Sequence, residues 1–224
     1  MTYIPIIIFI LLTAGIFLIS RLTLKEIFYT LRSFIRHDKT VFLLVCTFFF
    51  PGTVLHELAH FIVAIATGHR VRSISVFPAF EKNYIKLGTV IYEKKDFVRS
   101  IAIGIAPIFA GLALFWFFGV FQLFPSSHVV LSIIFGYLIF VISTTMFSSK
   151  QDLVDLIYIV PLLLVALAIM YVFNIRADIF LRDSVILTKL IAFMETVNIF
   201  LFFSLVIHGI LIFGLKVVRM ITKR

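Results

Sequence analysis

Long apolar stretches dominate this sequence and decide what it can fold into. Six of them are long enough to cross a membrane as helices: residues 4–20, 41–66, 100–124, 129–147, 153–174 and 196–218. Inside lipid they must be helical, because an unpaired backbone group costs several kcal/mol there. With 62% hydrophobic and only 14% charged residues, the chain is too apolar for a water-soluble domain. The sequence therefore predicts an all-α membrane protein with about six transmembrane helices.

Shorter features divide the chain around these spans. Apolar residues recur at helical spacing between the first two spans, with Lys25, Arg32 and Arg36 on the remaining surface. This pattern predicts either an amphipathic helix on the membrane surface or a connector packed on the bundle. Residues 68–99 are polar and rich in β-branched and aromatic residues, which predicts a small β-hairpin after the second span. The predicted units are an N-terminal anchor with the surface helix (1–40), a core containing the hairpin (41–155) and C-terminal transmembrane helices (156–224).

Positive charges predict the orientation and the polar partner of the chain. In a six-span arrangement, more lysines and arginines lie on the side of residues 68–99 than on the other side. The positive-inside rule then places the hairpin side in the cytoplasm. The net charge of +9 is spread between apolar spans and forms no basic face on a soluble unit. We therefore expect these charges to meet the headgroups of a lipid bilayer, and we expect no nucleic-acid partner.

The most specific pattern in the chain lies inside the second span, at His56-Glu57-Leu58-Ala59-His60. Histidines four residues apart fall on one face of a helix and can bind one zinc ion. Burying such residues in an apolar helix is costly unless they are paired or bind a metal, which favours a functional site over an interhelical hydrogen-bond cluster. The motif predicts a Zn2+ site held by His56 and His60, with Glu57 as the catalytic residue.

A third ligand must come from elsewhere in the chain, because catalytic zinc takes three protein ligands and a water. The second span runs toward the hairpin side, and His60 lies about 9 Å before its end at about 1.5 Å per residue. The fourth span ends on the same side, which favours Asp152 as the ligand, followed by Asp155. Glu195 lies at the opposite face in a six-span arrangement.

Together these residues resemble the site-2 protease family of intramembrane zinc metalloproteases. The resemblance covers roughly residues 41–155 and is carried by the HExxH motif, by Gly104-x-Ala106-Pro107 in the next span and by the β-rich loop between them. In that family a later transmembrane helix supplies an aspartate to the metal, which here implies Asp152. The resemblance implies zinc-dependent hydrolysis of peptide bonds in or near the transmembrane segments of membrane-protein or membrane-anchored substrates.

Two other functions stay open on the sequence. A non-proteolytic scaffold or a transporter could hold a metal ion with the same residues, although transporters tend to spread ionisable residues over several broken helices. A zinc protease similar to the prenyl-protein endopeptidases would use a glutamate as the third ligand, and Glu195 would have to serve. His208 in the last span has no acidic neighbour in sequence and is interpreted as a hydrogen-bonded core histidine.

Overall fold

A computed structural model describes residues 4–77, 79–81, 84–86, 88–93, 97–147, 164–165, 168–170, 172–173 and 184–222 of the chain. The helices and strands in these ranges are α1 (Ile4–Phe34), α2 (Asp38–Ala66), β1 (Val71–Ser75), β2 (Ala79–Glu81), β3 (Tyr84–Lys86), β4 (Thr89–Tyr92), α3 (Phe97–Val120), α4 (Val129–Thr145) and α5 (Ser184–Thr222).

Most of the described residues are helical, and the helices suit a membrane. Within the described ranges, α1, α2, α3 and α5 are long and apolar enough to cross a bilayer, and α4 is a shorter apolar helix of 17 residues. Large apolar side chains are exposed along α1 and α5, a surface that water-soluble monomers rarely carry. The prediction of a mostly helical, multi-pass membrane protein is confirmed at this level. The predicted span at 153–174 lies mostly outside the described residues, and the count of six is not confirmed.

Helix α1 joins two features that the sequence predicted separately. The predicted anchor and the predicted surface helix form one continuous helix of 31 residues. The apolar face of its second half packs inward, where Leu24 and Ile27 contact a cluster formed by Phe49, Phe140 and Val141. The stretch after the anchor is therefore packed on the bundle, which agrees with the second of the two interpretations.

Helix α5 runs parallel to α1. The Asn198 side chain donates from Nδ2 to the Pro5 carbonyl at 2.9 Å, and Arg219 pairs with Glu26 at 3.2 Å. In both contacts the residue of α5 lies 193 positions after its partner in α1. A constant offset means that the two helices run in the same direction. A six-span arrangement requires the last span to run antiparallel to the first, and the structure corrects this part of the predicted topology. The count of lysines and arginines depended on this arrangement, so the cytoplasmic orientation of the hairpin side stays a prediction.

Helix α4 lies parallel to α2 and packs closely on it. The Tyr137 hydroxyl donates to the Phe48 carbonyl at 2.6 Å, and further along both helices Val141 and Thr145 face Gly52. A Cβ atom at Gly52 would lie 2.5 Å from Thr145 Oγ1 and 2.7 Å from Val141 Cγ1. The glycine therefore permits a close helix contact, as small residues commonly do in membrane bundles. The last turn of α4 ends beside the second half of α2.

A small antiparallel β structure follows α2. Gly68, with a φ of +76°, ends the helix and turns the chain toward β1 in a conformation that glycine adopts without strain. Strand β1 pairs with β4, with Val71 opposite Tyr92, and β2 pairs with β3. Antiparallel β structure is thus present after the second span, as predicted, but the described residues form two separate pairs of strands, and the single hairpin predicted for residues 68–99 is not confirmed.

Candidate metal centre

The HExxH motif lies in the second half of α2 and is buried. His56, Glu57 and His60 have exposed fractions of 5%, 7% and 9%. The helix continues without a break to Ala66, so the four-residue spacing keeps both histidines on one face. Three ionisable side chains are thus held away from solvent in a helix that is long and apolar enough to cross a membrane.

The two imidazole rings of His56 and His60 converge. Their Nε2 atoms are 3.1 Å apart, and the ring planes are nearly perpendicular at 85°. Zinc–nitrogen bonds of about 2.05 Å in tetrahedral geometry place two nitrogen ligands about 3.3 Å apart. The observed separation therefore fits two ligands of a single zinc ion.

The ring of His60 is held by α3. Its Nδ1 lies 2.8 Å from the backbone carbonyl oxygen of Ile103. A carbonyl can only accept, so Nδ1 carries the proton and Nε2 presents a lone pair toward His56. Metal-binding histidines commonly donate from their second nitrogen in this way, which fixes the tautomer and the ring orientation. Helix α3 therefore prepares His60 as a ligand.

The side chain of Glu57 lies against the chain just before β4. A Cβ atom at Gly88 would lie 2.5 Å from Glu57 Cγ, 2.8 Å from Cδ and 2.7 Å from Oε1. A glycine at this position lets the backbone approach the carboxylate closely. Gly88 is not among the predicted site residues, and its one sequence signal is a glycine between two β-forming stretches. The β structure thus covers the proposed catalytic residue.

The described part of the chain supplies no third ligand to the histidine pair. Within the described ranges, no group of three or more His, Cys, Asp or Glu residues is placed to hold a metal ion. Asp152 and Asp155, the two predicted ligands, lie outside the described residues. Their assignment to the metal stays a prediction.

Glu195 is described, and the structure does not bring it to the histidines. It is exposed in α5 next to Thr196, whose Cγ2 packs on Gly119 near the end of α3. Ile103, which contacts His60, lies roughly 16 residues or about 24 Å earlier along α3. This separation disfavours Glu195 as a ligand of the same ion.

His208 lies in a separate polar cluster between α4 and α5. It is fully buried, its Nδ1 donates to the Ser204 carbonyl at 2.8 Å, and its Nε2 lies 3.1 Å from Thr144 Oγ1. The Ser204 hydroxyl also donates to Ser143 Oγ at 2.6 Å. The interpretation of His208 as a hydrogen-bonded core histidine is confirmed.

Comparison with known proteins finds no matching family model, no matching curated protein and no matching solved structure. The interpretation of the site therefore depends on its own residues and their geometry. They provide two imidazole nitrogens that meet in the interior of a helix bundle, with a buried carboxylate next to them in sequence.

Proposed function

We propose that this protein is an intramembrane zinc metalloprotease in which His56, His60 and Asp152 bind zinc and Glu57 is the general base. The convergence of the two Nε2 atoms at 3.1 Å inside α2 carries this proposal. Two imidazoles and a carboxylate buried together in a membrane-spanning helix are costly, and ionisable groups in such a position commonly mark a functional site.

Each residue has a role that follows from its position. When bound, zinc would act as a Lewis acid toward the scissile carbonyl and lower the pKa of water. Glu57 would accept the proton of the attacking water and deliver it to the leaving amine. His60, oriented by the Ile103 carbonyl, would present its lone pair to the ion. The covering strand segment at Gly88 would limit the access of bulk water to the carboxylate.

Asp152 is proposed as the third ligand because of the course of α4. This helix runs parallel to α2, and Thr145 in its last turn lies beside Gly52, one helical turn before His56. The chain after Thr145 therefore begins near the level of the site, and the seven residues to Asp152 can span at most about 24 Å. Asp155 is the alternative from the same segment.

The substrate is proposed to be a transmembrane or membrane-anchored peptide. His60 lies about six residues, or about 9 Å, before the end of α2, so the site is below the end of an apolar helix. A peptide bond in a substrate helix is hydrogen-bonded within that helix, so the helix must unwind locally before the amide is accessible. The β structure next to the site is in a position to contact such an unwound segment.

Glu57→Gln tests the proposal most directly. Protein purified in detergent should contain about one zinc ion per chain and cleave a membrane-protein substrate. The substitution keeps the size of the side chain but removes the base, so cleavage should fall about 10²–10⁴-fold while zinc is retained. Glu195→Gln changes an exposed glutamate in the same way and should cleave like the wild type. Unchanged cleavage by Glu57→Gln would exclude the role of Glu57.

The same preparation separates the other two functions. A metal-binding scaffold or transporter would contain zinc and leave every membrane substrate intact. An enzyme similar to the prenyl-protein endopeptidases would lose zinc in Glu195→Ala and keep it in Asp152→Ala. The proposed function instead requires that zinc is lost in Asp152→Ala and kept in Glu195→Ala.

A further inference from the structure

We propose that Pro107 is a positioning residue for the metal centre, because it leaves the Ile103 carbonyl free to orient His60. This inference rests on the proposed zinc site. It goes beyond that site by assigning a role to a residue that touches neither the ion nor the substrate. Pro107 lies four residues after Ile103 in α3, and the Ile103 carbonyl is the hydrogen-bond partner of His60 in α2.

Pro107 lies in the interior of α3, where a proline is costly. It has no N–H to donate, and its ring crowds the carbonyl of the residue four positions earlier. That residue is Ile103. Helix α3 nevertheless continues from Phe97 to Val120, so the proline does not end the helix. Its effect is to deprive one buried carbonyl of its α-helical donor.

The Ile103 carbonyl receives a donor from another helix. His60 Nδ1 lies 2.8 Å from it, and both residues are buried, with 9% and 1% of their surfaces exposed. In a membrane-spanning segment a carbonyl that loses its helical partner needs a replacement, because neither lipid nor water supplies one there. The proline and the histidine therefore form a matched pair, one removing a donor and the other providing it.

The hydrogen bond decides which nitrogen of His60 is available to a metal. With the proton held on Nδ1, the Nε2 lone pair faces His56 Nε2 at 3.1 Å. An N–H at position 107 would bond to the Ile103 carbonyl and compete with His60 for it. His60 would then be free to rotate or to move its proton to Nε2, where the proton blocks metal binding. Pro107 thus controls the ligand through the backbone of Ile103.

Pro107→Ala tests this inference, because alanine restores the missing N–H. Zinc affinity, measured by competition with a chelating indicator, should fall about 10–100-fold, as when an outer partner of a ligand is lost. The thermal stability of the metal-free protein should be equal or higher, since α3 gains a hydrogen bond and loses a helix-disfavouring residue. A fall in both quantities with an unchanged His60 tautomer would indicate a packing role and overturn the inference.

Ile101→Val is the matched control. Ile101 is buried in the same helix, and the substitution trims its side chain without adding or removing a backbone N–H, so it should lower thermal stability and leave zinc affinity unchanged. The two variants should therefore give opposite patterns. Loss of zinc affinity in Ile101→Val equal to that in Pro107→Ala would show that packing of α3, not the backbone hydrogen bond, controls the site.

Nitrogen-15 NMR of histidine-labelled protein provides a readout that does not depend on zinc or on cleavage. His60 should be protonated on Nδ1 in the wild type and should shift toward the other tautomer in Pro107→Ala. The same tautomer in both proteins would overturn the inference and leave the proposed function standing. If the wild type binds no zinc, the proposed function fails, and the tautomer still decides whether Pro107 orients His60.

Discussion

Two buried histidines in this protein have opposite surroundings. His60 meets a second imidazole and takes its carbonyl acceptor from a different helix, at Ile103. His208 takes its acceptor from its own helix, at Ser204, and its other nitrogen faces the Thr144 hydroxyl. The first arrangement directs a lone pair at another potential ligand, whereas the second only provides hydrogen-bond partners for both ring nitrogens. Burial of a histidine in a membrane helix is therefore a weak sign of chemistry, and convergence of two ligands is a stronger one.

The largest difference between the two histidines should be in metal content. His60→Ala removes one of the two converging nitrogens, so zinc measured by mass spectrometry should drop from about one ion per chain to near zero. His208→Ala should keep its zinc, because the hydrogen bonds of His208 are made with Ser204 and Thr144 and not with a motif histidine. Loss of zinc in both variants would break the comparison.

A smaller effect is expected from the glycines beside the two sites. Gly88→Ala places a methyl group 2.5–2.8 Å from three atoms of Glu57 and should displace the carboxylate. Cleavage should fall about 10²-fold with zinc retained, since a displacement of about 1 Å can cost that much. Gly209→Ala, next to His208, has no atom within 4 Å of the new methyl group and is the control. Equal cleavage by the two variants would show that Gly88 does not position Glu57.

Packing around the motif should affect stability more than packing around the C-terminal part of α5. Gly52→Ala forces α2 away from Thr145 and should destabilise the protein by about 1–3 kcal/mol, measured by denaturation in detergent. Gly214→Ala meets open space in α5 and should be neutral or slightly stabilising, because alanine favours a helix. A Gly52→Ala protein as stable as the wild type would contradict the close contact between α2 and α4.

The smallest effect should come from the polar cluster around His208. Thr144→Val keeps the shape of the side chain but removes the hydroxyl that faces His208 Nε2. Hydrogen bonds between membrane helices contribute about 0.6 kcal/mol on average, so stability should fall by about that amount. Zinc content and cleavage should not change. A loss of zinc here would show that the two histidine sites are coupled.

The sequence predicted the local part of the candidate site and missed the contacts between helices. The spacing of His56 and His60 brings both rings to the same face of a single helix, so the motif alone was enough to predict that the two histidines lie together. The Ile103 carbonyl has no side-chain signal of its own. Pro107, four residues later, marks a carbonyl without its helical donor, but only the tertiary fold shows which histidine takes its place.

The order of the helices was harder to predict than their existence, for physical reasons. Counting lysines and arginines treats each charge as free, yet Arg219 is paired with Glu26 on the neighbouring helix. The first helix was predicted to end near Arg21, but the guanidinium lies over the Phe17 ring at 4.7 Å, which stabilises the charge on a continuing helix. Such contacts between side chains cannot be predicted from the lengths of apolar runs or from counts of charged residues.

The parallel pairing of α1 and α5 joins two helices that the ribosome makes at different times. Its contacts join residues 193 apart, so α1 is synthesised well before its partner. Two of its buried hydroxyls are satisfied within α1 itself: Thr23 donates to the Ile19 carbonyl at 2.9 Å and Ser20 to that of Phe17 at 3.3 Å. These two hydroxyls therefore have hydrogen-bond acceptors within α1 before α5 is synthesised. The contacts between α1 and α5 can form only afterwards.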